Sequence, residues 1–212
     1  MICESHTDVE RSHKGRPRNF DHGQVLTKAL RLFWENGYET TSVAELCKAM
    51  GVSPPSLYSC FGNKTQLFVE AVLYYEKTYW EKPSLRFATD PDIYNAVASF
   101  FDEAASILVS PDTPCGCMVV LAAINVSKDA TDVIEIIQRL RNATKTMFAT
   151  RIRKAIRDGE LPAETDEEVL ALALNTFLEG LSLQARDGLD RAAVKAVAAR
   201  AKWLLPPKPT QG

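Results

Sequence analysis

The sequence contains no apolar run long enough to cross a bilayer, although 46% of its 212 residues are hydrophobic. The polar segment 1–18 also lacks the apolar core of a secretory signal. The five cysteines are odd in number and follow no framework spacing, which disfavours a fold held by disulfides. We therefore expect a cytoplasmic protein that has no membrane partner.

Residues typical of catalytic and metal sites are also scarce. The three histidines, His6, His13 and His22, all lie at or before the first predicted helix. No HExxH, P-loop, GxGxxG or GxSxG motif is present, and inward-facing acids such as Glu103 and Glu179 occur singly. Zinc needs further Cys or His ligands, and the second half of the chain has no histidine. We predict neither an enzyme nor a metal or other cofactor.

No convincing strand pattern is present either. Apolar residues recur at helical spacing, and capping residues and prolines divide the chain into nine predicted helices. An all-α protein without internal repeats follows. Thr41 is predicted to be the N-cap of the second helix, and Lys82-Pro83-Ser84 is predicted to break the chain after the fourth. The predicted helices span 21–36, 41–50, 53–60, 63–81, 90–109, 115–126, 130–157, 166–185 and 190–205.

The second and third predicted helices are separated by a very short turn. Gly51 stands where a helix C-terminus favours positive φ, Ser53 is an N-cap, and Pro54 occupies the first helical position. A helix, a glycine turn and a second helix with a polar outer face form a helix-turn-helix unit, whose recognition helix is residues 53–60. The spacing alone also allows an ordinary helical hairpin.

From Phe20 to Phe68 the chain resembles the TetR family of bacterial transcriptional regulators (TetR/AcrR-like). That resemblance implies an N-terminal helix-turn-helix domain, followed by a larger helical domain that binds an effector and dimerises. The chain departs from the family pattern at Pro54-Pro55 and Ser59-Cys60, which leaves few side chains for bidentate base contacts. The resemblance is carried by Phe33-Trp34, Gly37-Tyr38, Thr40-Thr41, Val43, Leu46, Gly51-Val52-Ser53, Leu57-Tyr58, Phe61, Lys64 and Leu67.

The expected domains differ in charge. We expect a flexible basic arm at 1–19, the DNA-binding domain at 20–66, the effector and dimerisation domain at 67–205, and a tail at 206–212. The overall charge is −2, but residues 11–68 carry eight Lys and Arg against four acids, a net +4 that leaves −6 for the remainder. A basic module on an acidic body fits DNA binding, because phosphate neutralisation dominates that affinity.

The expected partner is a palindromic double-stranded operator, read largely through DNA shape. The arm residues Lys14, Arg16 and Arg18 are expected along phosphates or in a minor groove, with a solubilising tail as the alternative. The resemblance implies phosphate contacts from Thr41, Tyr58 and Lys64. On the recognition helix that Ser53 begins, it implies that Pro54, Pro55, Ser56 and Ser59 face base edges.

In the second domain the resemblance implies an effector cavity, whereas periodicity alone indicates a packed core. Few charges are predicted to point inward, so we expect an apolar or aromatic effector that acts through the 63–81 helix. Cys115 and Cys117 are interpreted as a close-packing pair, with thiol or oxidant sensing as the alternative. The candidate lining residues are Trp80, Phe100, Phe101, Met118, Leu121, Leu140, Met147, Phe148, Leu174 and Phe177.

The last two predicted helices are too apolar to cover only one core, and the last is rich in alanine. The resemblance implies that they form a four-helix homodimer interface. The predicted function is a homodimeric repressor released from its operator by a ligand; a constitutive DNA-binding protein, or a helical enzyme or carrier, is the alternative. The candidate interface residues are Leu178, Leu181, Val194, Val197, Ala198 and Ala201.

Overall fold

The computed structural model describes residues 21–209, and every regular element in that part of the chain is helical. None of these helices is long and apolar enough to cross a bilayer. Lys14, Arg16 and Arg18 of the predicted basic arm lie outside the described residues. The α-helices are α1 (His22–Asn36), α2 (Val43–Met50), α3 (Pro54–Phe61), α4 (Lys64–Tyr75), α5 (Glu81–Thr89), α6 (Ile93–Leu108), α7 (Met118–Leu121), α8 (Thr131–Arg157), α9 (Glu167–Arg186) and α10 (Arg191–Ala198).

The first three helices form the predicted helix-turn-helix unit, with α4 packed against α1. Asp21 caps α1, and Gly51 ends α2 in the left-handed region at φ 73°, as predicted for Gly51. The prediction that Thr41 caps α2 was wrong. Ser42 is the N-cap, and it forms a capping box with Glu45 because Glu45 stands three residues after Ser42, the spacing a capping box needs.

A π-helical segment at Glu76–Trp80 joins α4 to α5, so the predicted break at Lys82-Pro83-Ser84 was wrong. The backbone N–H of Glu81 bonds to the carbonyl of Glu76, five residues back. This change of register puts Pro83 in the first turn of a new α-helical segment, where a proline is tolerated. The helical rod therefore continues to Thr89, but with an irregular turn in its middle.

The predicted buried helix at 115–126 shrinks to the single turn α7. Tertiary hydrogen bonds replace the helical ones: the Gly116 N–H donates to the Leu108 carbonyl at 2.8 Å, and the Cys117 N–H to Ser182 Oγ at 2.8 Å. The segment is apolar on all sides because its surroundings bury it, so periodicity could not distinguish it from a helix.

The ends of two other helices differ from the predicted ones. Asp92, not Asp90, caps α6, and the final helix stops at Ala198, followed by a 3₁₀ turn at Ala201–Leu204. The core of this second part lies between α5, α6, α8 and α9. It is an aromatic cluster whose rings stand 5.3–6.3 Å apart: Phe87, Phe100, Phe101, Phe148 and Phe177.

Candidate DNA interface and effector pocket

Helix α3 presents a polar outer face. Leu57 and Phe61 anchor the helix in the core, which turns Pro54, Pro55 and Ser59 outward. Tyr58 is 49% exposed at the edge of the same face. The predicted base-reading positions are therefore accessible, except that Ser56 is half-buried and shares a 2.9 Å hydrogen bond with Ser53 at the N-cap.

Thr41 is not accessible. Its side chain is 0% exposed, and its hydroxyl donates to the Gly37 carbonyl at 2.6 Å. The phosphate contact predicted for Thr41 is therefore not available in this conformation, because the hydroxyl stabilises the turn after α1. The neighbouring hydroxyls of Thr40 and Ser42 are on exposed residues, and a pattern read from sequence alone did not separate the three.

Lys64 begins α4 and is half-buried. Its ammonium donates to the Glu39 carbonyl at 3.3 Å and stands 4.3 Å from the centre of the Tyr38 ring. Burial lowers the pKa of Lys64, and the nearby Glu39 and Glu45 carboxylates oppose that shift. These contacts hold the positive charge beside the N-terminus of α4, next to the exposed end of α3.

A small cavity of about 40 Å³ lies where the π segment meets α6, α8 and α9. Three predicted lining residues, Trp80, Phe100 and Met147, border it. The full lining is Glu76, Trp80, Ser84, Phe100, Cys117, Val119, Val120, Arg141, Thr144, Met147, Asn175, Leu178 and Glu179.

The other seven predicted lining residues do not border this cavity. Most are fully enclosed in the core, and the rest are half-buried against neighbouring helices. Helical periodicity finds the inward face of a helix but does not tell which inward residues meet a neighbour and which meet a gap. The seven residues are Phe101, Met118, Leu121, Leu140, Phe148, Leu174 and Phe177.

The expectation of an almost uncharged cavity was also wrong, since Glu76, Arg141 and Glu179 all line it. Burial raises the pKa of Glu76 to about 7. The Glu179 carboxylate accepts a 3.0 Å hydrogen bond from Asn175, one turn earlier on α9. The guanidinium of Arg141 is bonded to the cavity wall, with Nε and Nη2 donating at 3.1 and 2.9 Å to the carbonyls of Val119 and Val120.

Only Gly116 and Cys117 of the Cys-Gly-Cys sequence are closely packed, so the interpretation of a close-packing pair holds for Cys117 and not for Cys115. Gly116 has φ 83°, and a Cβ there would approach Leu121 Cδ1 to 2.4 Å and the Ser182 carbonyl to 2.8 Å. Cys117 is buried beside the Tyr75 hydroxyl, and burial raises the pKa of its thiol to about 11. The Cys117 thiol is therefore protonated and shielded, whereas Cys115 is exposed.

Residues 116–122, here called the linking segment, join the cavity wall to the DNA-binding unit. The Trp34 indole N–H donates to the Gly116 carbonyl at 2.9 Å, and the Tyr38 N–H donates to the Ala122 carbonyl at 2.8 Å. Cys117, inside this segment, lines the cavity. Sequence reasoning missed the link because both bonds span more than 80 residues and involve backbone carbonyls.

Five of the six predicted dimer residues are buried inside the protomer, and only Val197, 41% exposed, faces outward. Periodicity selected the stripe with which α9 and α10 pack on their own protomer, so this part of the prediction was wrong. The five buried residues are Leu178, Leu181, Val194, Ala198 and Ala201.

A second apolar stripe runs along the outside of α9. Val169, Leu172 and Leu183 are all exposed there, with the small residues Thr176 and Gly180 between them. We call this the outer stripe. Trp203, 67% exposed in the terminal 3₁₀ turn, is a further large apolar side chain near the end of the chain. Contiguous exposed apolar surface of this kind marks interaction sites.

Two family models match the chain. That of the bacterial regulatory proteins of the tetR family matches residues 25–71, and that of the tetracyclin repressor-like C-terminal domain matches residues 95–201. The HTH-type transcriptional repressor ComR of Escherichia coli (strain K12) is 32% identical over 97% of this chain and 98% of its own. The repressor BdcR of the same strain is 28% identical, over 88% and 90%.

A solved structure of the TetR family transcriptional regulator CifR, with substituted cysteines and complexed with 26-bp double-strand operator DNA, is also similar. It superposes with a TM-score of 0.85 at 38% identity, covering 91% of this chain and 100% of that chain. The reduced form of E. coli NemR shares the fold, with a TM-score of 0.72 at 14% identity over 89% and 98% of the two chains.

Proposed function

Since the chain belongs to the TetR family of bacterial transcriptional regulators, we propose that it represses transcription as a homodimer and leaves its operator when a small molecule enters the cavity. DNA binding is assigned to residues 20–66, and effector binding and dimerisation to residues 67–205. The observation that carries the proposal is that one cavity borders both the π segment, which continues α4, and the linking segment, which is bonded to α1.

The operator contacts are proposed on α3 and the start of α4. Pro54, Pro55 and Ser59 are exposed on the outer face of α3, and Lys64 carries a charge beside it. CifR, with 38% identity, is complexed with a double-strand operator in its structure. Because proline and serine offer at most apolar contacts and single hydrogen bonds, DNA shape supplies much of the specificity.

Release is proposed to begin with an enlargement of the cavity. Ligand sites usually enclose 300–1,000 Å³, so a ligand entering a cavity of about 40 Å³ must displace side chains such as Trp80 or Met147. Trp80 ends the π segment, and π turns are common at functional sites of helices. A shift there moves α4, which at ~1.5 Å per residue is a rigid arm of roughly 18 Å ending at Lys64.

The linking segment gives a second route for the same shift. It borders the cavity at Cys117, Val119 and Val120, and it holds α1 through the Trp34 and Tyr38 hydrogen bonds. A ligand changes operator affinity only if it binds the released state better, by a coupling free energy of about 1–3 kcal/mol. Operator DNA must then weaken ligand binding by the same factor.

The dimer is proposed to form through the outer stripe on α9, together with Val197 and the terminal 3₁₀ turn. A two-fold pair of this kind places two α3 helices on successive half-sites, roughly 34–36 Å or a multiple apart. Val197→Glu is expected to give monomers with poor operator affinity. A dimer of unchanged stability in that variant would move the interface elsewhere.

Oxidant sensing through the cysteine pair is the competing trigger, and the burial of Cys117 weighs against it. The two are separated in a Cys115→Ser, Cys117→Ser double variant. Operator release by ligand that persists in this variant supports the cavity mechanism. Release that needs an oxidant and is lost in the double variant contradicts it.

The decisive experiment selects genomic fragments bound by the purified protein and measures their affinity at several salt concentrations. We expect a palindromic site bound at nanomolar concentration, with affinity that falls steeply as salt rises. Absence of DNA affinity even at low salt would overturn the proposal in favour of a carrier. Screening compounds for release of the selected fragment then tests the effector part separately.

A further inference from the structure

The cavity is lined by more acidic than basic side chains, and its acidic side chains form no ion pair within the described residues. Glu76 from the π segment and Glu179 from α9 both line it, and neither forms an ion pair within 4 Å in residues 21–209. The one lining cation, Arg141, donates to two backbone carbonyls of the linking segment. Its position is therefore fixed by α7 rather than by the two carboxylates.

A buried carboxylate without an ion-pair partner carries a cost, because burial disfavours the charged form. Glu76 shows that cost as a pKa raised to about 7. It makes no side-chain hydrogen bond within the described chain, and Glu179 has only the Asn175 amide as a partner. A positively charged group in the cavity would interact favourably with these acids, which a neutral group of the same shape could not do.

Part of the remaining cavity wall is aromatic and apolar. Trp80 and Phe100 face the cavity with ring centroids 6.1 Å apart, and Met147 adds a flexible side chain that adapts to different shapes. Aromatic faces attract cations, most strongly when water is excluded. Acidic side chains and electron-rich rings thus meet in one enclosure.

From this arrangement we propose that the effector is an aromatic organic cation, with its positive charge held by Glu76 and Glu179 and its ring system packed on Trp80 and Phe100. The inference rests on the proposed function, because it names the chemical class of ligand for that same cavity. Binding of the charge at Glu76 acts directly on the π segment. Glu76 therefore both binds the charge of the ligand and belongs to the segment whose shift moves α4.

The test compares three probes with one naphthalene ring but different charge. They are (1-naphthylmethyl)trimethylammonium, its neutral carbon isostere 1-neopentylnaphthalene, and anionic 1-naphthaleneacetate. Binding to the DNA-free dimer is measured by naphthalene fluorescence and calorimetry at pH 8, and release is measured in parallel on the selected operator fragment. We expect the cation to bind about tenfold or more tightly than either other probe.

Substitution of the acids gives the matched comparison. In Glu76→Gln and Glu179→Gln the preference for the cation should fall about tenfold, while the affinity for the neutral isostere stays equal or rises. Glu81→Gln is the control, since Glu81 is an exposed acid one turn further along the same helical rod and does not line the cavity. It should keep the full preference.

The outcomes separate this inference from the proposed function. Equal binding of cation and neutral isostere, or no binding of the cation at millimolar concentration, contradicts the proposal that the effector is a cation. Operator release by the neutral probe would leave the ligand-responsive repressor intact in that case. A cation preference that depends on Glu76 and Glu179 but releases no operator supports the ligand class and contradicts the release mechanism.

Discussion

The DNA-binding unit and the second domain differ in how their helices are defined. In the first, short helices begin at Asp21, Ser42 and Ser53 and end at Gly37, Gly51 and Gly62, so local caps set nearly every boundary. In the second, α6, α9 and α10 also begin at capping aspartates, but α5, α7 and α8 begin without a side-chain cap, and α8 has 27 residues that pack on several neighbours. Local caps thus set nearly every helix boundary of the DNA-binding unit, whereas packing sets several of those in the second domain.

The largest change in stability is expected from a substitution on the buried side of α9. Leu178 was predicted at the dimer interface but is buried beside the cavity, so Leu178→Ala should lower the free energy of unfolding by about 2–5 kcal/mol. Denaturant unfolding at fixed protein concentration measures it. Leu85→Ala, an exposed leucine on α5, is the control and should change stability by less than ~0.5 kcal/mol. A soluble, equally stable monomer of Leu178→Ala would restore the original assignment.

The outer side of α9 gives the converse test. Leu172→Glu places a charge in the proposed dimer contact, and the dimer dissociation constant should rise by about 100-fold or more, since burying an unpaired charge costs several kcal/mol. Analytical ultracentrifugation measures it, and circular dichroism should show unchanged helix content. Leu85→Glu, outside the outer stripe, should leave the dimer intact. If both variants remain dimeric, the stripe is not the interface.

A third prediction concerns the cavity and its dependence on pH. Glu76 has a pKa of about 7 in the folded protein, raised by burial from 4.5. Between these values the folded state retains a proton that the unfolded chain has released, so stability falls as pH rises from about 4.5 to 7. Glu76→Gln should remove this fall and stabilise the protein above pH 7 by on the order of 2 kcal/mol.

Thermal unfolding of Glu76→Gln and Glu81→Gln across this pH range checks the prediction. Because Arg141, Glu179 and Cys117 line the same cavity, each is kept unchanged in the comparison. Glu81→Gln should follow the unmodified protein at every pH. Parallel curves for all three proteins would show that Glu76 does not experience a buried environment.

A smaller effect is expected where the two regions meet. Trp34→Phe keeps an aromatic side chain but replaces the buried indole with a smaller phenyl ring and removes the N–H that bonds to the Gly116 carbonyl, leaving a buried acceptor unpaired. Stability should fall by about 1–2 kcal/mol. If the linking segment transmits the ligand signal, the coupling between ligand and operator should fall as well. The factor by which ligand weakens operator binding measures that coupling, and an unchanged factor would leave α4 as the single route.

The smallest effect is expected in the DNA-binding unit. Lys64→Ala should weaken binding to all operator variants about equally and reduce the slope of log affinity against log salt by about one unit. Lys77→Ala, an exposed lysine in the π segment, should leave both quantities unchanged. A loss confined to one base-pair position would assign Lys64 to base readout instead.

The sequence by itself determined the all-α fold, the helix-turn-helix unit and the family. Gly51 needs positive φ, Ser53 caps α3, and Pro54 fits only a first helical turn, so these residues act through bonds to near neighbours. Short-range requirements of this kind are visible in a linear pattern. The resemblance to TetR regulators includes Gly51 and Ser53 among its positions and extends from Phe20 to Phe68.

Only the tertiary structure decided which apolar faces are inside, and what the cavity contains. Helices α9 and α10 are apolar on more than one side, and the pattern could not tell that Leu178 faces the core while Leu172 faces outward. Glu76 stands four residues after the buried Val72 and lines the cavity, but helical spacing alone does not show that a charged residue meets a cavity there. Burial, and with it the raised pKa of Glu76, depends on neighbours far away in sequence, so it exists only once the helices have packed.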